Sequence, residues 1–354
     1  MLVLIKAWQT ITDWEKWPFY LIYTPLIFVW IYYAIRARAF WYFSPVNPTL
    51  EFSGFEGEGK REMYDLMPDK YYPSTIYIQP GLPDTALLNE VKQARINYPL
   101  VVKPDRGMQG ILFRIIETED QLKQYHSMMP TEYVVQQFVD LPLEFSAFHV
   151  RYPGEKKGRL TGFILKEYLS VEGDGQSTLL ALIQKNNRTQ LRLDELKAKH
   201  KDKLDLVIPD HEKYFLSFAG NHNRGAKFIN LHHEIDEKLH QIFDKISYEC
   251  KTFFYGRYDL KCTSLDDLKA GNNISILEFN GTGAEPNHIY DCNLSYLQAL
   301  KEIAIHWRHM YKIGRINNAL GVPYWGFNKG TKHLFKAKKL FKNLRKFDLE
   351  TVIA

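Results

Sequence analysis

Gly256-Arg257-Tyr258-Asp259-Leu260-Lys261 and Ile276-Leu277-Glu278-Phe279-Asn280-Gly281 are two short alternating stretches joined by Ser264–Asn273, which is rich in Asp, Gly and Asn. Side chains alternate across a strand, so Arg257, Asp259 and Lys261 share one face while Tyr258, Leu260 and Cys262 share the other. By the same rule Ile276, Glu278 and Asn280 lie together, opposite Leu277 and Phe279. The connecting residues are those of a turn, and the pair reads as a β-hairpin. Pairing brings two carboxylates and an amide oxygen beside an arginine and a lysine. Hard oxygen donors of this kind suit Mg²⁺, which keeps its remaining positions for water and phosphate. The plainer alternative is the solvated face of an ordinary hairpin.

A second element lies upstream. Tyr98-Pro99-Leu100-Val101-Val102-Lys103-Pro104 reads as an apolar strand ending in a lysine, followed by Asp105-Arg106-Gly107-Met108-Gln109-Gly110 and the apolar run Ile111–Ile116. Strand, glycine loop and strand form a flap whose backbone N–H groups can approach phosphate oxygens, with Lys103 as a point charge. It is not a P-loop, which needs Gly-Lys-Ser/Thr opening a helix. Between these elements, Tyr133–Val139 reads as a strand running into Asp140-Leu141-Pro142-Leu143-Glu144. Its end offers backbone groups to an adenine and a carboxylate to ribose hydroxyls.

This order of lysine strand, glycine flap, hinge strand with Glu, and finally Asp with Glu-x-Asn resembles the ATP-grasp superfamily. The nearest look is to carboxylate–amine ligases of the D-alanine–D-alanine ligase and cyanophycin or glutathione synthetase type. The resemblance covers roughly residues 58–320. It implies an α+β chain with an ATP-grasp fold, two α+β lobes gripping the nucleotide, flanked here by an N-terminal hydrophobic helix and a basic C-terminal helix. It implies nucleotide contacts at Lys60, Lys103, Gly107, Gly110, Gln136, Gln137 and Val139, and a ribose contact at Glu144. The family often has Glu at the position of Gln136. Asp259, Glu278 and Asn280 match the magnesium ligands, and Arg257 matches the arginine that steadies the transferred group. Lys166, ahead of the Gly173-Asp174-Gly175 segment, matches a γ-phosphate contact. Gly220-Asn221-His222-Asn223-Arg224-Gly225 resembles a loop facing the reacting centre, with His222 and Arg224 as its catalytic candidates.

The implied chemistry uses ATP and Mg²⁺, with Mn²⁺ as a substitute, to join a carboxylate to an amine through an acyl phosphate. Cations and metal neutralise charge on the transferred phosphoryl group, and flap closure keeps water from the intermediate. Two alternatives stay open: a phosphotransferase on the same fold, and a membrane-tethered nucleotide-binding protein without turnover. His222 orients a substrate or simply braces its loop; His288 is a candidate to close the substrate pocket; His232-His233 reads as a surface pair.

Composition agrees with a folded enzyme: 45% apolar and 25% charged residues over 354 positions exclude a disordered chain. Cys250, Cys262 and Cys292 are odd in number and lack a Cys-x-x-Cys pair, which fits a reducing compartment better than disulfides or zinc.

Both termini add something else. From Trp17 to Ile35 there are nineteen residues without a charge, rimmed by Trp and Tyr and followed by Arg36 and Arg38. That length meets the lower range of a membrane span. A spanning helix, a helix kinked at Pro25 and lying in one leaflet, and a buried helix or oligomer contact are the three readings. The positive flank would put the catalytic bulk in the cytoplasm. A signal peptide is not expected, given the reversed flank charge and bulky Phe40-Trp41-Tyr42-Phe43. Lys329–Lys346 holds eight Lys/Arg and no acid, with Leu334, Ala337, Phe341 and Leu344 forming one apolar stripe. Such a helix suits an anionic membrane surface; a solvated basic tail is the alternative, and nucleic acid ranks behind both. The expected organisation is a membrane-associated segment at 1–44, a short lead-in at 45–97, an ATP-grasp domain at 98–327 and a basic tail at 328–354. Helices are expected at Gln121–Met129, Asp236–Phe254, Gln184–His200 and Ser295–Ile313. The short lead-in and the apolar segment suggest a substrate supplied at the membrane, such as a lipid-linked carboxylate or amine. Oligomeric state is not legible.

Overall fold

The computed structural model describes residues 13–107, 110–218 and 220–350. Met108 and Gln109 of the expected flap lie outside the described residues.

The N-terminal apolar segment is helical but broken. Pro18 opens helix α1 (Phe19–Tyr23), a 3-10 turn at Thr24–Leu26 accommodates Pro25, and helix α2 (Ile27–Ala37) follows. Arg38, at φ +54°, closes α2 with its N–H on the carbonyls of Ala34 and Ile35. Ile22, Leu26 and Trp30 turn inward, whereas Tyr20, Leu21, Phe28, Ile31, Tyr32 and Ile35 remain exposed. Both flanks are held by one body. The Trp14 indole donates to Leu294 O at 2.9 Å, and Tyr42 and Phe43 are wholly buried. Residues 41–44 are therefore core rather than anchor, because Trp41, Tyr42 and Phe43 find partners in Phe52, Phe148 and Tyr255.

Helix α3 (Lys60–Tyr64) leads into the first lobe. Strands β1 (Thr75–Ile78), β2 (Leu100–Pro104), β3 (Arg114–Ile116) and β4 (Tyr133–Gln137) pair antiparallel in the order β1-β4-β2-β3. Helices α4 (Asp84–Gln93) and α5 (Glu119–Met128) cover one face, burying Leu87, Val91, Leu122 and Tyr125 against Leu100 and Val102. Thr118 caps α5 by accepting from Gln121 N. The expected lead-in thus supplies a strand and a helix to this lobe.

The second lobe is a five-stranded antiparallel sheet in the order β11-β10-β5-β6-β9. Its strands are β5 (Leu143–Val150), β6 (Arg159–Glu167), β9 (Lys227–Asn230), β10 (Tyr255–Cys262) and β11 (Ile274–Asn280). Between β6 and β9 the chain makes an excursion through β7 (Ser170–Glu172), α6 (Leu179–Lys185), α7 (Leu193–Lys199) and β8 (Lys213–Phe215), with its own small apolar cluster. Helix α8 (Glu237–Glu249), capped by Asp236, lays Leu239, Ile242, Phe243 and Ile246 on one face of the sheet. Phe145, Ala147, Tyr258 and Leu260 meet it there. That leaves the odd-numbered side chains of β10 and the even-numbered side chains of β5 on the opposite face, where Tyr255, Phe148 and Val150 pack on the N-terminal segment and Asp259, Lys261 and Glu144 line the cleft.

Two expectations about β10 and β11 need correction. The connection is not a simple turn but helix α9 (Leu265–Ala270), capped by Ser264 and ended by Gly271 at φ +77°. The alternation of β11 is interrupted too: Asp259 pairs with Glu278 but Leu260 pairs with Ile276. This bulge gives Leu277 no partner of its own and returns Ile276 to the core instead of the site face.

The C-terminal pair completes the fold. Helix α10 (Tyr296–Ala319) opens with a Ser295–Gln298 capping box and packs along α1 and α2 through Ala299, Ile303 and Trp307. Helix α11 (Phe327–Glu350) is a strap between lobes. It starts beside Trp41, whose indole donates to Phe327 O at 3.1 Å. Farther along, Leu344 enters the first-lobe core, and Asp348 accepts from Arg114 at 2.7 Å. The apolar stripe expected to rest on lipid is consumed here: Ala337, Phe341 and Leu344 are buried by the protein itself.

Candidate active site

The two lobes face each other across a cleft that divides into two cavities. The first, about 240 Å³, lies between the sheets and is walled by Val101, Ile111, Phe113, Ile115, Leu277, Phe138 and Val139. The second, about 260 Å³, opens beside it and is lined by Glu58, Glu278, Asn280, Glu285, Asn287, His222, Tyr290 and Phe341. Lys60, Gly107, Lys166, Gly220, Asn221, Arg257 and Glu278 line both. The cavities therefore meet at a ring containing three cations and a carboxylate.

In the first cavity β2 delivers Lys103, whose amine lies 3.1 Å from Gln136 Oε1, 3.4 Å from the Tyr64 hydroxyl and 3.4 Å from Leu277 O. Burial pulls this amine down to about 8, with Glu278 acting in the opposite sense. Gln136 is itself buried; its amide N–H group donates to Tyr64 and Thr75. It aims Lys103 rather than standing free. The Gln137 amide is used on Asn97 and on Phe138 O. Val139 O accepts from Lys261 at 3.1 Å. Gly107 and Gly110 border this cavity.

At the junction, β10 and β11 set Asp259 opposite Glu278 and Arg257 opposite Asn280. Asp259 Oδ1 accepts from Ser146 Oγ at 2.6 Å and lies 3.1 Å from Lys166 Nζ. Its Oδ2 accepts from Arg257 Nη2 at 3.2 Å and Asn280 Nδ2 at 3.3 Å. Burial would raise the Asp259 carboxyl, but Arg257 and Lys166 overcome it and hold it near 2. Burial would likewise lower the Lys166 amine, yet Asp259 and Glu144 hold it above its usual value. Lys60 Nζ sits 3.8 Å from Glu278 Oε1. Buried ion pairs of this sort add little net stability; perturbed groups converging in a cleft are the mark of a functional site.

Glu144 takes Lys166 at 3.0 Å on one oxygen and the Tyr168 hydroxyl on the other. It borders the first cavity, already engaged by protein donors. Gly220 is required beside it, since a Cβ there would stand 2.3 Å from Glu144 Oε1. His222 lies in the second cavity, stacked on Tyr290 at 5.0 Å, with its Nε2 3.6 Å from both Glu15 and Asp291. Arg224 is not brought to the site: it lines neither cavity and pairs with Glu195 at 3.1 Å, because the 3-10 turn His222–Arg224 points it toward α7. In the Gly173-Asp174-Gly175 segment Asp174 and Gly175 are exposed, Asp174 accepts from Gln176 N and Ser177 N, and the segment also lines neither cavity. His288 packs behind the second cavity rather than closing it; its neighbour Asn287 is the lining residue. His232 and His233 are exposed.

Residues not singled out from sequence complete the site. Ser146 was within reach, two places beyond Glu144 on the same strand face. Tyr64, Glu58, Glu285 and Phe341 come from separate segments, and only the tertiary fold assembles them. Burial holds the Glu58 carboxyl above its normal value. The Glu285 carboxylate accepts from Tyr23 at 2.7 Å, while its carbonyl accepts from Arg257 at 3.1 Å.

No family model matches this sequence, and no curated protein matches it. Among solved structures the chain is similar to a bifunctional glutathione synthetase from Pasteurella multocida, at 15% identity and a TM-score of 0.38, over 70% of this chain and 36% of that one. It is similar also to the D-alanine–D-alanine ligase of Bacillus anthracis, at 14% identity and 0.41, over 74% and 69% of the two chains. A third is the VanG D-Ala:D-Ser ligase of Enterococcus faecalis, at 14% identity and 0.40, over 72% and 62%. The chain spans barely over a third of the length of the first of these.

Proposed function

We propose that this chain is an ATP- and Mg²⁺-dependent carboxylate–amine ligase of ATP-grasp type, forming an amide or peptide-like bond through an acyl phosphate. One observation carries the reading: an apolar-walled cavity and a polar cavity share a ring of Lys60, Lys166, Arg257 and Glu278. A nucleotide in the first would direct its terminal phosphate to that ring, and an acid and an amine in the second would approach from the other side.

The donor set fits the metal. Asp259, Glu278 and Asn280 are hard oxygen donors on facing strands and would hold Mg²⁺, with Mn²⁺ fitting the same atoms. When bound, the ion supplies charge neutralisation at the phosphate oxygens. Lys166 and Arg257 now neutralise Asp259; loading the site exchanges those ion pairs for phosphate contacts. In the first step a substrate carboxylate oxygen bonds to the γ-phosphorus and the bond to the ADP oxygen breaks. Lys60, Lys103, Lys166 and Arg257 hold the charge that moves. In the second step the amine nitrogen bonds to the acyl carbon and phosphate leaves. Glu58 faces that cavity with a carboxyl of raised proton affinity and takes the amine proton. Phe341 of the strap, Gly107 and Gly110 border the cleft and help to exclude water.

The test is product analysis with purified protein, ATP and Mg²⁺. The ligase releases ADP and free phosphate only when acid and amine are both supplied. A phosphotransferase would leave a stable phosphorylated product without any amine.

The same proposal places the enzyme at a membrane surface with its catalytic body on the cytoplasmic side, drawing one substrate, acid or amine, from the bilayer. Support comes from Tyr20–Ala37, long and apolar enough for a span yet only 17% buried. Its two flanks are pinned to one body, which favours a helix lying in one leaflet over a crossing. The basic face of α11 remains exposed to attract anionic lipid. Phe28→Glu with Ile31→Glu changes only the outer face. Co-sedimentation with phosphatidylserine vesicles should be lost in that variant while ATP binding persists; retained sedimentation refutes the membrane part alone.

A further inference from the structure

Behind the second cavity, a partly buried cluster belongs to no step above. Glu302 and His306 stand one turn apart on α10, and His288 reaches them from the 3-10 turn Asn287–Ile289. His288 Nε2 is 3.2 Å from Glu302 Oε1, and His306 Nε2 is 3.6 Å from the same oxygen. Candidate donor atoms of the three residues all fall within 4.8 Å of one another. Donors around a tetrahedral zinc, with bonds of about 2.0–2.2 Å, are separated by about 3.3 Å.

The independent observation concerns His306, which is 1% exposed. Its Nδ1 pairs with the Tyr255 hydroxyl at 3.1 Å, whereas its Nε2 has no hydrogen-bond partner among the described residues. A buried ring nitrogen left in that state is unfavourable and calls for an explanation. Tyr255 orients the ring as outer hydrogen-bond partners of metal-bound histidines do. Phe148 packs edge-on at 4.4 Å. His288 is placed with equal care: its ring lies so close to β6 that a Cβ on Gly162 would stand 1.9 Å from Nδ1.

We propose that His288, Glu302 and His306 bind a divalent first-row transition ion, Zn²⁺ in the first place, with water as fourth ligand. Two imidazoles and one carboxylate are a zinc donor set. The role proposed for the ion is to position its neighbours. It pins His288 and so steadies Asn287, whose amide donates to Ser146 Oγ at 2.9 Å, which in turn donates to Asp259. The proposal is independent of the ligase reading, because neither its geometry nor its test involves ATP.

The experiment strips the full-length chain with chelator, returns Zn²⁺, and measures bound metal by elemental analysis together with thermal unfolding. One equivalent per chain and a higher melting temperature are expected. Glu302→Gln should lose that equivalent, Tyr255→Phe should weaken affinity about tenfold, and Asp259→Asn should keep it. Co²⁺ in place of Zn²⁺ should give the visible absorption of a tetrahedral site in the wild type and not in Glu302→Gln. Folded wild-type protein that binds no Zn²⁺, or an equivalent that survives Glu302→Gln, overturns the assignment. Should Glu302→Gln fail to fold, the wild-type stoichiometry and the Tyr255→Phe affinity decide it.

Discussion

The two cavities differ in what they ask of a ligand. The first has apolar walls and a few polar groups already aimed by protein partners, as when Gln136 and Tyr64 hold Lys103. The second is rich in ionisable groups, lined by Glu58, Glu278, Glu285 and His222. A flat aromatic ligand with one charged end suits the first; small charged reactants suit the second. The charged groups they share are those of the ring, Lys60, Lys166, Arg257 and Glu278. Changes there should damage everything, and changes elsewhere only one side.

The largest effect is expected at Asp259, which braces the ring. Asp259→Asn removes the charge that organises Arg257, Lys166 and Ser146, and kcat for ADP release should fall about 1,000-fold. A residual rate within tenfold of wild type would show that the ring is not the reacting centre. Next comes Lys103→Ala, confined to the first cavity. Loss of one buried charged hydrogen-bonding group should raise the ATP Kd about 10- to 100-fold with the acceptor KM unchanged. His222→Asn belongs to the second cavity, and it should raise the acceptor KM about tenfold while leaving ATP affinity intact. Equal effects of these last two changes on both ligands would erase the distinction between cavities.

Proton linkage gives a smaller, sharper test. The Lys103 amine is held at about 8, below its unfolded value. The apo fold therefore gains stability as pH rises from about 8 to about 10.4. Phosphate nearby favours the charged amine, so nucleotide binding should take up a proton at about pH 9 and none at about pH 6.5. Titration calorimetry in buffers of different ionisation enthalpy reads this directly. The strap adds a stability term: Leu344→Ala should cost about 2–5 kcal/mol, measured by denaturant unfolding, with modest change in ATP affinity.

How much of this could be read beforehand depends on how local each signal is. Alternation in 257–261 placed Arg257, Asp259 and Lys261 on one face, since a paired strand has no other periodicity. The stripe of α8 and the Ser295 start of α10 are equally local, being spacing and capping. The bulge at Leu277 was hidden because one unpaired residue leaves no compositional mark, so Ile276 was assigned to the wrong face. Ser264–Asn273 looked like a turn because Asp, Ser and Gly serve turns and helix caps alike. The two terminal helices show the main limit. By sequence one is an uncharged apolar run and the other a basic helix with an apolar stripe, yet α11 buries its stripe between the lobes while α2 exposes one apolar face. Periodicity reveals that a face is apolar, not what covers it. Arg224 and the Gly173–Gly175 segment were placed by resemblance, and the chain carries them away from the cleft.

The central claim is that the shared ring is a magnesium-nucleotide site. Calorimetric titration of the full-length chain with ATP, with and without Mg²⁺, tests it most directly. The account predicts one nucleotide per chain, bound more tightly with Mg²⁺, with that metal dependence lost in Asp259→Asn. Absence of binding to the folded wild type, or binding indifferent to Mg²⁺ and to Asp259, would contradict it.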